Sequence, residues 1–335
     1  MMKLPSLGAL KSLKLKGTAR RTPGLVCINV WPDRVDVSHV EAADKERPEI
    51  KRCDSYRKVG GGEAAILRRL RRDLHLDRYR CATLLKSGDY QIIQVETPNV
   101  LPNEMKNAVR WRIKDMIDFP VDEATVDAVS IPSTDAAVGR AAQMIAVAAR
   151  NQVIAGVVKP FNDADIPLEI IDVPEFAQRN IARCLEPEGH GVALLSLDDR
   201  GGLLTFTRGG ELYQYRRIDV TLASLRGAAP GESEGAELRM ELEGPYERLA
   251  VELQRSLDHF DRQFPRVAVA MLVVTPVPRA DKLRGYLGNR LELPVELLYL
   301  SEVMDFPDIV ELHEPARQAQ CLQLIGGALR EEGTA

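Results

Sequence analysis

"NEMKNAVRWRIKDMIDFPVDEATVDAV", residues 103–129, is the stretch on which the reading of this chain turns. Met105, Val109, Ile113, Met116 and Ile117 fall at helical spacing and predict an amphipathic helix with one apolar stripe. Asn103 suits the N-cap. Pro120 is expected to stop the helix after Phe119, because the residue before a proline avoids the α region. Acids follow at Asp122 and Glu123. Trp111 lies off the stripe, between Arg110 and Arg112. An indole on a charged face suits contact with a partner, and equally a ring laid across a neighbouring lobe.

Outward from this segment, strand and helix signals alternate. Toward the N-terminus, "GLVCINVW" (24–31) and "RVDVSHVEA" (34–42) read as strands joined at Pro32-Asp33, and "EIKRCDSYRKV" from Glu49 as a third. After the Gly60-Gly61-Gly62 breaker a helix places Ala65, Leu67, Leu70 and Leu74 near one face. Arg68, Arg69, Arg71 and Arg72 occupy much of the remainder, as a solvated face or as contacts for phosphates or lipid headgroups. "RCATLL" and "YQIIQVE" are strands split by Ser87-Gly88-Asp89.

Toward the C-terminus, "MIAVAAR" is a buried strand. "NQVIAGVVKPFNDADI" reads as a helix, "LEIIDV" as a strand and "PEFAQRNIARCL" as a helix. After "EPEGHG" the pattern restarts with the strand "GVALLSLDD" and a hairpin turning at Gly209-Gly210. A polar loop, "RGAAPGESEGAE", precedes a strong helix with Leu249, Leu253, Leu257, Phe260 and Phe264 in line. A strand, a helix, a strand and a closing helix complete the chain. Two halves, each opening on a hairpin and closing with α/β units, point to a duplicated architecture.

The 335 residues suit two or three lobes, and the net charge of −4 with 5% aromatics offers neither the basic field nor the stacking surface of a nucleic-acid binder. Cys27, Cys53, Cys81, Cys184 and Cys321 are widely spaced, with no CxxC, so reduced thiols in a cytosolic protein are expected. No apolar run reaches the ~18 residues that mark a membrane span. The opening "MMKLPSLGALKSLKLKGTARR" spaces Leu4, Leu7, Leu10 and Leu13 by three among Lys3, Lys11, Lys14, Lys16, Arg20 and Arg21, with no acid. It reads as a disordered basic tail or as a weak adhesive for an anionic inner leaflet. His39, His75, His190, His259 and His313 are scattered, and neither a G-x-S-x-G nor a P-loop occurs.

These segments resemble the PilM/MshI family of type IV (MSHA-type) pilus biogenesis proteins, which have the actin-like ATPase fold in its FtsA-like form. The similarity runs from about Gly24 to the end of the chain. Its most specific part is the quoted stretch, where Pro102, Glu104, Ala108, Val109, Trp111, Pro120, Asp122 and Glu123 follow the family order; Arg112 stands where the family usually has an acid. "VELQRSLDHF" and "LIGGALR" match two further helices of the family. The resemblance implies an α/β, RNase H-like fold of two lobes with a small inserted subdomain. The expected division is a basic tail at 1–23, a first lobe from 24–87 and 151–186, an inserted subdomain at 88–150 and a second lobe at 187–335. It also implies a PilN-like inner-membrane partner whose short cytoplasmic tail is captured beside the inserted subdomain, with Arg110 and Trp111 as candidate liners, and a cytoplasmic location at the inner membrane.

The family fold binds ATP through two tight hairpin turns and a Gly-Gly pair after a strand; the first turn and the Gly-Gly pair depart from that pattern here, and the second turn is open to two alignments. Glycine lets backbone approach phosphate, and an acid serves magnesium. At the first turn Asn29 replaces the acid, Trp31 the glycine, and Pro32 removes an N–H donor. At the second, "SLDDRGG" from Ser196 aligns loosely, and a shifted register would offer Asp198 or Asp199 with Gly201 and Gly202. At the third, "PVPR" from Pro276 to Arg279 has no glycine. The expectation is therefore a non-catalytic scaffold that binds neither ATP nor magnesium. The alternative is an actin-like ATPase that couples nucleotide state to pilus assembly.

Overall fold

The computed structural model describes residues 22–42, 47–58, 60, 62–132, 141–227, 236–277 and 279–331, without the side chains of 236–243. The basic tail, most of the polar loop at 226–237 and the chain end therefore lie outside the described residues. Two compact units result. The first takes the described residues up to 42 and those of 54–174, and the second takes 47–53 and everything from Glu175.

In the first unit, β1 (Leu25–Val30) and β2 (Arg34–Glu41) form the expected antiparallel hairpin, pairing Val30 with Val35 and Leu25 with Val40. β3 (Glu49–Arg57, counted here from Asp54), α1 (Gly62–Leu74) and β4 (Arg80–Leu84) follow. Next come β5 (Tyr90–Glu96), α2 (Met105–Arg112), β6 (Ala124–Ser130) and β7 (Gln143–Arg150). α3 (Asn151–Asp163) and β8 (Leu168–Asp172) complete the unit. The main sheet has the order β3-β2-β1-β4-β8, with β4 parallel to both β1 and β8. Its core gathers Val26, Ile28, Val35 and Val37 from the hairpin, Ile66, Leu67 and Leu70 from α1, and Phe161 from α3. Alternate strand residues and one helical stripe meet there, as the periodicities require.

The second unit begins with α4 (Pro174–Arg183, counted from Glu175) and β9 (Gly191–Asp198), β10 (Gly201–Arg208) and β11 (Glu211–Ile218). Then come α5 (Leu222–Gly227), α6 (Ala236–Gln263), β12 (Val269–Val274), α7 (Ala280–Gly288) and β13 (Val295–Leu297). α8 (Leu300–Val303) and α9 (Pro315–Ala328) end it. Its sheet order, β11-β10-β9-β12-β13, repeats that of the first sheet strand for strand, with the same antiparallel hairpin and parallel returns. The duplication read from the sequence is thus present as topology. Gly209 and Gly210 both take positive φ in the β10–β11 turn, as a two-residue hairpin loop demands.

Within the first unit, β5-β7-β6 form a separate antiparallel sheet against which α2 packs. Three expectations need correction here. α2 starts after Glu104 rather than Asn103, and it ends at Arg112, with Ile113 as its C-cap, seven residues before Phe119. A turn at 113–116 replaces the last helical turns, so Met116 is 51% exposed instead of in the core. Val109, Ile113 and Phe119 remain buried. The acidic residues after Pro120 lie in a short turn of helix, Val121–Glu123, that leads into β6, whose Ala124 and Val126 join the core. Among the described residues no helix is long and apolar enough to cross a membrane.

Candidate functional site

The first turn closes in two residues. Trp31 N donates to Arg34 O at 2.9 Å, and Asp33 O accepts from Lys58 N at 2.9 Å. Neither Pro32 nor Asp33 takes positive φ, so L-residues fit this loop without strain. Asn29, at the end of β1, is buried, and its Oδ1 accepts a hydrogen bond from Leu84 N at 3.1 Å. It ties β1 to the last residue of β4. The Trp31 ring is half-buried, with the Arg34 guanidinium 5.5 Å and the Lys86 ammonium 5.8 Å from its centroid. Two cations on one indole hold it beside the turn. Lys86 was not legible as part of this arrangement, since the turn after β4 brings it there from 55 positions along the chain.

The second turn satisfies itself. Asp198 Oδ1 accepts from Arg200 N at 2.7 Å and Gly201 N at 3.1 Å, and Oδ2 pairs with the Arg200 guanidinium at 3.0 Å. The backbone N–H groups of Arg200 and Gly201 are therefore engaged within the turn, while Asp199 is exposed. The two glycines have internal reasons. A Cβ on Gly201 would lie 2.8 Å from Ile218 O, and one on Gly202 would lie 3.0 Å from Ile218 Cβ and 3.1 Å from Leu197 Cδ2. Each permits close packing of β9, β10 and β11. Ser196 Oγ donates to Gln178 Oε1 at 2.6 Å. Gln178, fully buried on α4, donates in turn to Leu194 O, Leu203 O and Thr205 Oγ1 at 2.8, 2.9 and 3.1 Å. Sequence reading missed this hub. Its signal was a lone glutamine in "PEFAQRNIARCL", which helical spacing alone cannot distinguish from a surface residue.

At the third position Thr275 N donates to Leu195 O at 2.9 Å, extending the pairing of β12 past its end. Pro276 follows and is buried, so neither an N–H nor an open glycine surface is presented there. Among the described residues no three His, Cys, Asp or Glu side chains gather as a metal site. Burial, aided by Asp172 and Cys81, pushes the Cys27 thiol well above its ordinary value, so it is no nucleophile.

The two candidate partner residues part company. Arg110 turns back on its own subdomain: its guanidinium donates to Val121 O at 2.9 and 2.5 Å and braces the turn after Pro120. Trp111 points away from the α2 core stripe and is 61% exposed, with the Lys114 ammonium 5.7 Å from its ring. Arg112 pairs with Glu96 at 2.6 Å on β5, which gives the cation at this family-variant position an acid of its own. Leu101, just before α2, is 64% exposed.

Comparison with known proteins supports the resemblance. The family model described as type IV pilus assembly protein PilM matches residues 57–198, which include α1, the whole inserted sheet and β9. Among solved structures, the chain is similar to that described as the PilM–PilN type IV pilus biogenesis complex. Identity there is 21%, covering 92% of this chain and 98% of that one, with a TM-score of 0.64. It is also similar to the cytoplasmic domain of EpsL, an inner-membrane component of the type II secretion system of Vibrio cholerae, at 12% identity, 92% and 95% coverage and a TM-score of 0.45. A Bacteroides thetaiotaomicron protein with the actin-like ATPase fold matches at 8% identity, 93% and 99% coverage and a TM-score of 0.47. No curated protein sequence matches. The resemblance to the PilM family is borne out, and the fold is the actin-like ATPase fold with its small inserted subdomain.

Proposed function

We propose that this chain is a non-catalytic scaffold of a type IV pilus assembly platform, of the MSHA kind, which grips the cytoplasmic tail of a PilN-like inner-membrane protein. The observation that carries the reading is the outward Trp111 on α2, a large indole left uncovered in the middle of the family-matched region. Aromatic side chains of this sort anchor partners because they bury much area with few rotors to freeze. An extended tail would add main-chain hydrogen bonds at a sheet edge, and β5 and β6 both provide one in the inserted sheet. The protein would sit on the cytoplasmic face of the inner membrane, held there by its membrane-spanning partner.

The residues at the three turns do not fit ATP. Asn29 holds Leu84 N instead of a magnesium-side charge, Trp31 fills the glycine position, Asp198 occupies its own turn, and Pro276 is packed away. An indole in the volume of a phosphate is overpacking that shifts in rotamer and backbone must relieve. Two measurements test the proposal. A labelled peptide with the sequence of the cytoplasmic tail of a PilN-like inner-membrane protein is titrated against the full protein by fluorescence anisotropy. Saturable binding, weakened at least tenfold by Trp111→Ala, is the expected result; equal binding by the variant removes Trp111 from the site. Mg-ATP should leave the melting curve unmoved. Stabilisation approaching 2.7 kcal/mol at about 100 times Kd would restore the nucleotide-coupled alternative.

A further inference from the structure

From the surface of the first unit alone, we infer that α1 and α3 form a membrane-facing surface that lies on anionic phospholipid. α1 buries Ile66, Leu67 and Leu70, and at 100° per residue the opposite side carries Arg68, Arg69 and Arg72, all exposed. α3 packs alongside: Arg68 Nε donates to Asp163 O at 3.1 Å, at the C-terminal end of α3. α3 is thinly covered. Only Phe161 is buried, Val153, Ile154, Val157 and Val158 are half-buried, and Ala155 and Gly156 are exposed. An arginine row beside a shallow aliphatic surface is the composition of an interfacial layer, cations at the headgroups and apolar groups just beneath.

The surrounding charges agree. Glu63 is engaged by Lys58 at 3.0 Å, and Asp163 by Lys159 at 2.6 Å. Asp73 and Asp77 are the other acids on α1 and the turn that follows it, opposed there by Arg78 as well as the four arginines of the helix. A diffuse face on which arginines outnumber unpaired acids favours a lipid surface over an acidic protein, which would be matched by individually placed charges. The inference deepens the membrane-proximal reading above but needs no partner, and the assay contains none.

The full chain is sedimented with vesicles of phosphatidylcholine alone or with about one-third phosphatidylglycerol. Binding to the anionic vesicles only, released by high salt, is expected. Near an anionic surface each basic residue contributes about fivefold, so Arg69→Gln/Arg72→Gln should weaken partitioning roughly 25-fold with an unchanged melting curve. Should the double variant fold poorly, Arg69→Gln alone, at about fivefold, keeps the test. Equal binding to neutral vesicles, or parental binding by the arginine variants, overturns the inference. So does equally tight capture by polyglutamate, which would make the face an acidic-protein site instead.

Discussion

The β1–β2 and β9–β10 turns occupy the same place in two sheets of the same strand order, yet they are built on opposite plans. The first is closed by Trp31 and Pro32, and its polar anchor, Asn29, lies below it in the core. The second is closed by an aspartate folded onto its own N–H groups at the surface, with its support coming from Gln178 on α4. A sheet order depends on alternating apolar residues and tolerates great change in the loop that joins two strands. Turn chemistry is freer: the first turn is tied to Leu84 and Lys58 elsewhere in its unit, whereas the second closes on its own aspartate. Duplicated architecture therefore carries no duplicated chemistry.

Four substitutions can break or sharpen that contrast. Gln178→Leu strips donors from Leu194 O, Leu203 O and Thr205 Oγ1, and should cost about 3 kcal/mol or more in urea unfolding. A loss under about 1 kcal/mol would mean that α4 does not support the second hairpin. Asn29→Ala leaves Leu84 N without its acceptor in the core and should cost about 2 kcal/mol, with faster amide exchange at Leu84 as the local signature. Asp198→Ala removes an acceptor from a solvent-exposed turn, where water replaces it, so about 1 kcal/mol or less is expected from the shift in thermal midpoint. A loss equal to that at Asn29 would erase the distinction between buried and surface anchoring. Trp111→Ala should move stability by less than about 0.5 kcal/mol, because its ring is 61% exposed; a larger fall in denaturant midpoint would show it packing within its own subdomain.

The inserted subdomain shows how far the sequence was legible. The apolar positions Val109 and Ile113 were placed correctly in its core. The end of the helix was not, because Pro120 marks the latest point at which a helix can stop rather than the point at which it does. Ile113 closes the last turn early, leaving Met116 outside. β6 was passed over although Ala124, Val126 and Ala128 alternate, since the interleaved polar Thr125 and Asp127 obscured a strand with only one buried face. At the candidate site, Trp111 stood out as an indole among charges, whereas the inward task of Arg110 depends on a carbonyl eleven positions away.

By itself the sequence determined the order of elements, the repeated hairpin-led halves and the loss of glycine from the first turn, because periodicity and steric volume are local properties. Only the tertiary structure decided what the substituted residues do instead: that Asn29 fastens β4, that Asp198 closes its own turn, and that the arginines of α1 lie beside a bare α3. Those outcomes depend on hydrogen-bond partners and solvent exclusion between segments far apart in the chain, and neither is defined until the backbone has brought them together.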